Sequence, residues 1–142
     1  MESEYILIID EDKEFLATTL DFLTVHMNLN NVVWAVSSEE AEEKIKIYKP
    51  RLVILDLGMQ KIRGEEISSL INNYVNSSVI IMTSIYDNDD YLELTHDLGG
   101  DGFFRKDHVK TALPKLMEFL HSDHSDINPN NDIFRNKSYL LN

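Results

Sequence analysis

Leu52-Val53-Ile54-Leu55-Asp56 is the stretch from which the rest of this chain can be read. Four apolar residues without alternation describe a strand buried on both faces, as strands are inside a parallel sheet. The run stops on a carboxylate and enters the loop Leu57-Gly58-Met59-Gln60-Lys61-Ile62-Arg63-Gly64. Asp56 therefore marks the carboxyl end of a core strand. Tyr5-Ile6-Leu7-Ile8-Ile9 ends the same way, in Asp10-Glu11-Asp12. If the two strands are parallel neighbours, three or four carboxylates converge on one sheet edge. Such a cluster repels itself until a cation or a proton joins it, so a metal-dependent site is the first expectation.

Working outward, three more short apolar runs qualify as strands: Val32–Val36, Val79–Met82 and Gly102–Phe104. Segments of helical period separate the strands. Leu16, Leu20, Leu23 and Met27 form one stripe, Ala41, Ile45 and Tyr48 a second, and Ile67, Leu70, Ile71 and Tyr74 a third. Tyr91, Leu94 and Leu98 give a weaker fourth, and Val109 to Leu120 a fifth. Ser37 with Glu40 has capping-box spacing before the second helix. Glu40–Lys44 and Glu42–Lys46 have the spacing of solvated ion pairs. Asp87 can cap the fourth helix, and Gly99-Gly100 can end it. Pro114 inside a helix would cost about 3 kcal/mol, so the fifth helix is expected to start near Thr111, with Asp107–Lys110 as a turn. Five strands alternating with five helices give a (βα)5 α/β unit with helices on both faces of a parallel sheet. Ligands of such sheets bind beyond the carboxyl ends of the strands, where strand order reverses.

The chain has 142 residues, 25 acidic against 13 basic side chains, a net charge of -12 and no cysteine. One domain accommodates that length without disulfide staples, and Cys-ligated zinc is excluded. The acidic surface disfavours direct nucleic-acid binding. The first apolar run is too short for a signal peptide or a membrane span, which leads to the expectation of a soluble, cytoplasmic protein with no membrane contact. Residues 122–142, rich in Asn and Asp, read as a polar tail or linker following a domain over 4–121, with no output domain in the chain.

Each strand end carries a distinct group: Asp10-Glu11, Asp56, Thr83-Ser84 and Arg105-Lys106. Oxygen ligands suit Mg²⁺, and a hydroxyl with an ammonium suits further phosphate oxygens. Phosphoryl transfer onto a carboxylate fits that constellation. Each group alone has an ordinary explanation. Asp10–Asp12 can cap a helix, Asp56 can be a turn residue, Thr83 a strand-end hydroxyl, Lys106 solvated and Phe103 simply core. Their joint placement at four strand ends is what favours function. The five histidines show no metal-ligand pattern.

Ile6–Asp12, Leu52–Gly64, Val79–Ser84 and Gly102–Lys106 resemble the four signature blocks of bacterial response-regulator receiver domains, in the same order and with similar spacing. The resemblance runs from about Tyr5 to Leu120. It implies the flavodoxin-like, CheY-like three-layer fold with strand order 2-1-3-4-5. It further implies that Asp56 is the phosphoacceptor for a sensor histidine kinase or phosphotransfer protein. Mg²⁺, with Mn²⁺ as an alternative, would be held by Asp10, Glu11, Asp56 and the Gly58 carbonyl. Thr83 and Lys106 would bind the phosphoryl group, and Phe103 would be the aromatic switch, turning inward as Thr83 moves. Gly58 and Ile85 match positions that tune dephosphorylation, Gly58 admitting water and Ile85 blocking it. The face of the fourth helix, fifth strand and fifth helix would engage a downstream protein or a second copy. Gln60, Arg63 and Asp107 depart from common family residues without removing a site group, and Glu11 is one methylene longer than the usual Asp.

The resemblance thus implies a self-phosphorylating and autodephosphorylating two-component switch rather than a turnover enzyme. The alternatives are a phosphorylation-independent interaction module and a phosphatase or flavin-binding enzyme of similar architecture. A flavin-binding protein would need a phosphate loop after the first strand, and an aspartate-based phosphatase a second Asp at position 58; this chain has neither.

Overall fold

A computed structural model describes residues 4–58, 69, 73–74, 78–85, 93 and 95–121. Its elements are β1 (Ile6–Ile9), α1 (Lys13–Asp21), β2 (Val32–Ala35), α2 (Ser38–Tyr48), β3 (Leu52–Asp56), β4 (Val79–Ser84), β5 (Gly102–Arg105) and α3 (Val109–His121). All five strands pair in parallel in the order β2-β1-β3-β4-β5. The helix α3 occupies the place of the fifth expected helix. The third and fourth expected helices and the cap at Asp87 fall largely outside the described residues. Ser69, Asn73, Tyr74, Glu93 and Thr95–Asp97, which are described, are helical.

The unalternating runs form the sheet because both of its faces are covered. Every residue of β1 and β4 is buried, as are Leu52 to Leu55 of β3. The edge strand β2 is the exception, with Trp34 exposed. The core continues into Phe15, Leu16 and Leu23 on one side, Ala41 and Ile45 on α2, and Val109, Leu113, Leu116 and Leu120 on α3.

Local signals account for most helix ends. Ser37 caps α2, its hydroxyl oxygen accepting from the Glu40 N–H at 3.2 Å. The Ser37 hydroxyl also donates to a Glu40 carboxylate oxygen at 3.4 Å. Glu42 and Lys46 form the expected pair at 2.9 Å. The Lys44 ammonium lies 5.8 Å from the ring centres of both Trp34 and Tyr48, a position that uses its charge on aromatic faces. Gly99, at φ 88°, ends the helical turn before β5. The Gly100 N–H donates to the Thr95 carbonyl and the Gly99 N–H to the His96 carbonyl, the Schellman pattern.

Two helix boundaries differ from expectation. The first stripe does not stay α-helical to Met27. After Asp21 the chain widens into a π-turn over Phe22–His26, and the Met27 N–H reaches back five residues to the Phe22 carbonyl. The last helix starts at Val109 rather than near Thr111, after a 3-10 turn over Lys106–His108. Burial of the Val109 side chain holds that first turn against the core. Pro114 thus sits inside the helix and removes one backbone donor. The Lys110 carbonyl that loses this donor belongs to an exposed residue.

Candidate functional site at the carboxyl edge of the sheet

Parallel register fixes which strand ends meet. Ile9 is paired with Leu55, so Asp10 follows beside Asp56. Asp56 is itself the register partner of Thr83, and Ser84 that of Arg105. The Leu57 N–H donates to the Thr83 carbonyl at 2.8 Å, extending the β3–β4 ladder past the acceptor position. The edge therefore gathers Asp10, Asp56, Thr83 and Lys106 from β1, β3, β4 and the turn after β5.

Lys106 organises the group. Its ammonium lies 2.7 Å from Asp10 Oδ2 and 3.3 Å from Asp56 Oδ2. The side chains of Lys106, Asp10 and Asp56 are 9%, 1% and 10% exposed. Lys106 is thus a buried counter-ion, and the solvated alternative is overturned. Burial and these two partners act in opposite directions. Burial is the strongest influence on Lys106 and lowers its pKa, but Asp10 and Asp56 together outweigh it and raise the pKa. Burial also dominates at Asp10, where it prevails over Lys106 and the Asp12 N–H and, with Asp56 adding, pushes the carboxyl up to about 6. Asp10 Oδ2 is held by the Lys106 ammonium at 2.7 Å.

The four neighbouring carboxylates separate into different jobs. Asp10 Oδ1 accepts from the Asp12 N–H at 2.9 Å, and Asp10 Oδ2 faces Lys106. Asp12 is the N-cap of α1, its Oδ1 accepting from the Glu14 and Phe15 N–H groups at 3.0 and 3.2 Å. Glu11 is exposed. Asp56 Oδ1 accepts from the Gly58 N–H at 2.9 Å, which leaves Oδ2 toward Lys106. The expected convergence of three or four carboxylates is thus reduced to Asp10 and Asp56. Capping occupies Asp12, and no set of three acidic or histidine side chains closes on one point among the described residues. Asp12→Ala is expected to cost about 1 kcal/mol in stability by losing the cap. Urea unfolding measures that cost, and it separates the role of Asp12 from those of its two neighbours.

Thr83 is fully buried, and its hydroxyl has one long contact, 3.5 Å to the Leu55 carbonyl. At that length the hydroxyl is weakly held and can turn toward the edge at small cost. Phe103 is 2% exposed. Gly58 is exposed, and a Cβ placed there would come 3.3 Å from Asp56 Oδ1. A glycine at this position keeps the approach to Asp56 open. Ile85 is 64% exposed. It borders an open groove of about 540 Å³ together with Asp12, Phe15, Lys106 and Asp107. Residues 59–68, including Gln60 and Arg63, and the tail over 122–142 lie outside the described residues.

Phe15 was not legible as a site residue. Its ring centre lies 4.7 Å from the Lys106 ammonium. In sequence it is an apolar residue on an amphipathic helix, and nothing in the spacing marks it out. Arg105, beside Lys106, turns away to Asp107, its Nε 2.5 Å from the carboxylate, and lowers the Asp107 pKa.

A parallel sheet of order 2-1-3-4-5, with two acidic strand ends joined by a buried lysine and a buried threonine opposite, defines a flavodoxin-like α/β domain of the CheY type. The family model described as "Response regulator receiver domain" matches residues 6–118. The chain belongs to the response regulator receiver family of two-component systems. It is 26% identical over 125 residues to the transcriptional regulatory protein DegU of Brevibacillus brevis, an alignment covering 87% of this chain and 52% of that protein. It is 30% identical over 121 residues to the probable transcriptional regulator ycf27 of Porphyridium aerugineum, covering 83% and 46%. The chain thus spans about half the length of these curated relatives. Among solved structures, the signal receiver domain of a DNA-binding response regulator from Colwellia psychrerythraea superposes with a TM-score of 0.74 at 28% identity, covering 83% of this chain and 98% of that one. Receiver domains of this family are generally signalling switches that interact with histidine kinases and downstream effectors, and they generally bind Mg²⁺. No helix among the described residues is long and apolar enough to cross a membrane.

Proposed function

We propose that residues 4–121 are a phosphorylatable receiver whose acceptor is Asp56, supplied by a sensor histidine kinase or a phosphotransfer protein. The observation that carries this reading is the buried Asp10–Lys106–Asp56 arrangement at the carboxyl edge. Capping or ordinary solvation explains neither buried carboxylate, and a lysine this costly to bury is well spent at a reacting group.

In the transfer step an Asp56 carboxylate oxygen attacks phosphorus, an acyl phosphate bond forms, and the P–N bond to the donor imidazole breaks. The departing imidazole keeps the electron pair of that bond and takes up a proton. The donor set suits Mg²⁺: the buried carboxylates of Asp10 and Asp56 and the exposed carboxylate of Glu11 are hard oxygen donors, and Gly58 has no Cβ to crowd Asp56. Asp10, Glu11, Asp56 and the Gly58 carbonyl are the groups proposed to hold it. When bound, the cation neutralises incoming phosphoryl charge. The chain supplies the rest. Lys106 follows charge from the Asp56 carboxylate to the new phosphoryl oxygens, and the weakly held Thr83 hydroxyl turns to donate to another. Phe103 is the aromatic member of the switch. Its buried position suits a shift in packing rather than a change from exposed to buried. Gly58 and Ile85 flank the acceptor as tuning positions, one open and one apolar.

The readout is proposed to be a downstream protein or a second copy of the chain on the face of the fourth expected helix, β5 and α3. The net charge of -12 on the whole chain disfavours nucleic-acid binding by the domain itself. It acts in the cytoplasm as a switch rather than as a turnover enzyme. Residues 122–142 are read as a polar tail or linker.

Beryllofluoride with Mg²⁺ provides the test. Amide and side-chain NMR signals of Thr83 and Lys106 are expected to move strongly, and those of the already buried Phe103 less. Signals that stay in place at Thr83 and Lys106 would overturn this reading.

A further inference from the structure

Lys106 has acid on one side and an aromatic face on the other. Asp10 and Asp56 hold the ammonium at 2.7 and 3.3 Å, and the Phe15 ring centre stands 4.7 Å from it. That distance is well inside the range in which the negative face of a ring attracts a cation, and the attraction is strongest where water is excluded. Both partners are buried or nearly so. The ring is fixed independently of Lys106. Phe15 sits in the first turn of α1, where its N–H is held by the Asp12 cap at 3.2 Å, and its side chain packs into the core cluster.

A lysine side chain is a flexible four-carbon stem ending in a compact point charge. At this edge it borders the groove shared with Ile85 and Asp107, which offers a path to solvent. Phe15 lines the same groove, and its ring face takes none of the ammonium's three donors. Its attraction has no single direction across the face, so the ammonium can slide from the carboxylates toward a phosphoryl oxygen and stay held. An aliphatic side chain of similar size would exclude water but would supply no attraction.

We propose that Phe15 is a positioning residue for phosphoryl capture, its ring holding the Lys106 ammonium at the acceptor by a cation–π contact. The inference rests on the reading of Asp56 as acceptor. Its test compares wild type with Phe15→Leu and Phe15→Trp. In wild type the Lys106 ε-methylene protons are expected upfield of ordinary lysine values, through the ring current. The displacement should vanish in Phe15→Leu and persist in Phe15→Trp. With Mg²⁺ saturating, beryllofluoride should bind about tenfold more weakly to Phe15→Leu, and Phe15→Trp should recover most of that loss. Mg²⁺ affinity without beryllofluoride should match wild type in both variants. An ordinary Lys106 shift in wild type overturns the proposal, whether or not the leucine variant folds. So does beryllofluoride binding to a folded Phe15→Leu as tightly as to wild type. If wild type itself fails to bind beryllofluoride, the reading of Asp56 falls and takes the proposal with it. Failure of the proposal alone shows instead as equal binding by wild type and Phe15→Leu.

Discussion

Asp10→Asn is expected to melt at a higher temperature than wild type at pH 8, by roughly 5 to 10 °C, and at the same temperature below about pH 4. Burial holds the Asp10 carboxyl at about 6 in the folded protein, against 3.8 in the unfolded chain. Between those values the folded state binds a proton that the unfolded state does not. Stability contributed by this group is therefore greatest at the acid end and falls as pH rises from about 4 to about 6. Above the folded value the full cost applies, about 3 kcal/mol in favour of the unfolded chain.

Asparagine removes the buried charge and keeps the shape. Its Oδ1 can still accept from the Asp12 N–H, which donates to Asp10 Oδ1 at 2.9 Å in the native chain. Its amide NH₂ would face the Lys106 ammonium, donor against donor, and that offsets part of the gain. Lys106 has a second partner in Asp56, 3.3 Å away, toward which it can lean. Differential scanning fluorimetry from pH 4 to pH 8 measures the gap. A variant equal to wild type at pH 8 would mean that Lys106 already compensates Asp10 fully. Saturating Mg²⁺ at pH 8 is expected to stabilise wild type and to do so less for Asp10→Asn, because the cation relieves the same uncompensated charge.

Much of this edge was legible in the sequence, because parallel strands buried on both faces leave a two-letter signature: an apolar run, then a polar stop. That signature located Asp10, Asp56, Thr83 and Lys106. The observed register brings them together, with Asp56 directly across from Thr83 and Asp10 following the Ile9–Leu55 pair. Strand ends were underestimated by one or two residues at β3, β4 and β5, because Asp56, Thr83-Ser84 and Arg105 are polar yet continue the ladder.

What the sequence could not show depends on contacts between residues far apart in the chain. Asp10, Glu11 and Asp12 are three adjacent acids with identical apparent claims on a metal. Only the φ/ψ path of the turn decides that Asp12 caps α1, Asp10 is buried and Glu11 faces solvent. Phe15 stands next to the first helical stripe as one more apolar residue, and its contact with Lys106 spans most of the domain in sequence. Pro114 misled the placement of α3 because proline reports on backbone donors alone. The position of the helix start was decided by burial of Val109. The π-turn at Phe22–His26 preserves apolar period well enough that no break is visible in the stripe.

Asp56→Asn, treated with acetyl phosphate and Mg²⁺, is expected to gain no phosphoryl group by intact-mass measurement, whereas wild type gains one. The substitution tests chemistry rather than folding, because the two carboxylate oxygens have separate partners. Asp56 Oδ1 accepts from the Gly58 N–H at 2.9 Å, a bond that an asparagine Oδ1 reproduces, so the turn after β3 keeps its shape. Asp56 Oδ2, 3.3 Å from Lys106, is the oxygen that becomes a neutral amide nitrogen. That amide carries no charge to attack phosphorus and none to hold the ammonium. Its loss also removes the like charge that helps raise the Asp10 pKa, so the variant should be at least as stable as wild type at pH 8. A folded, stable protein that takes up no phosphoryl group is the expected outcome. A mass gain equal to that of wild type would place the acceptor on another residue, and the buried Asp10–Lys106–Asp56 group would then need an explanation other than phosphoryl transfer.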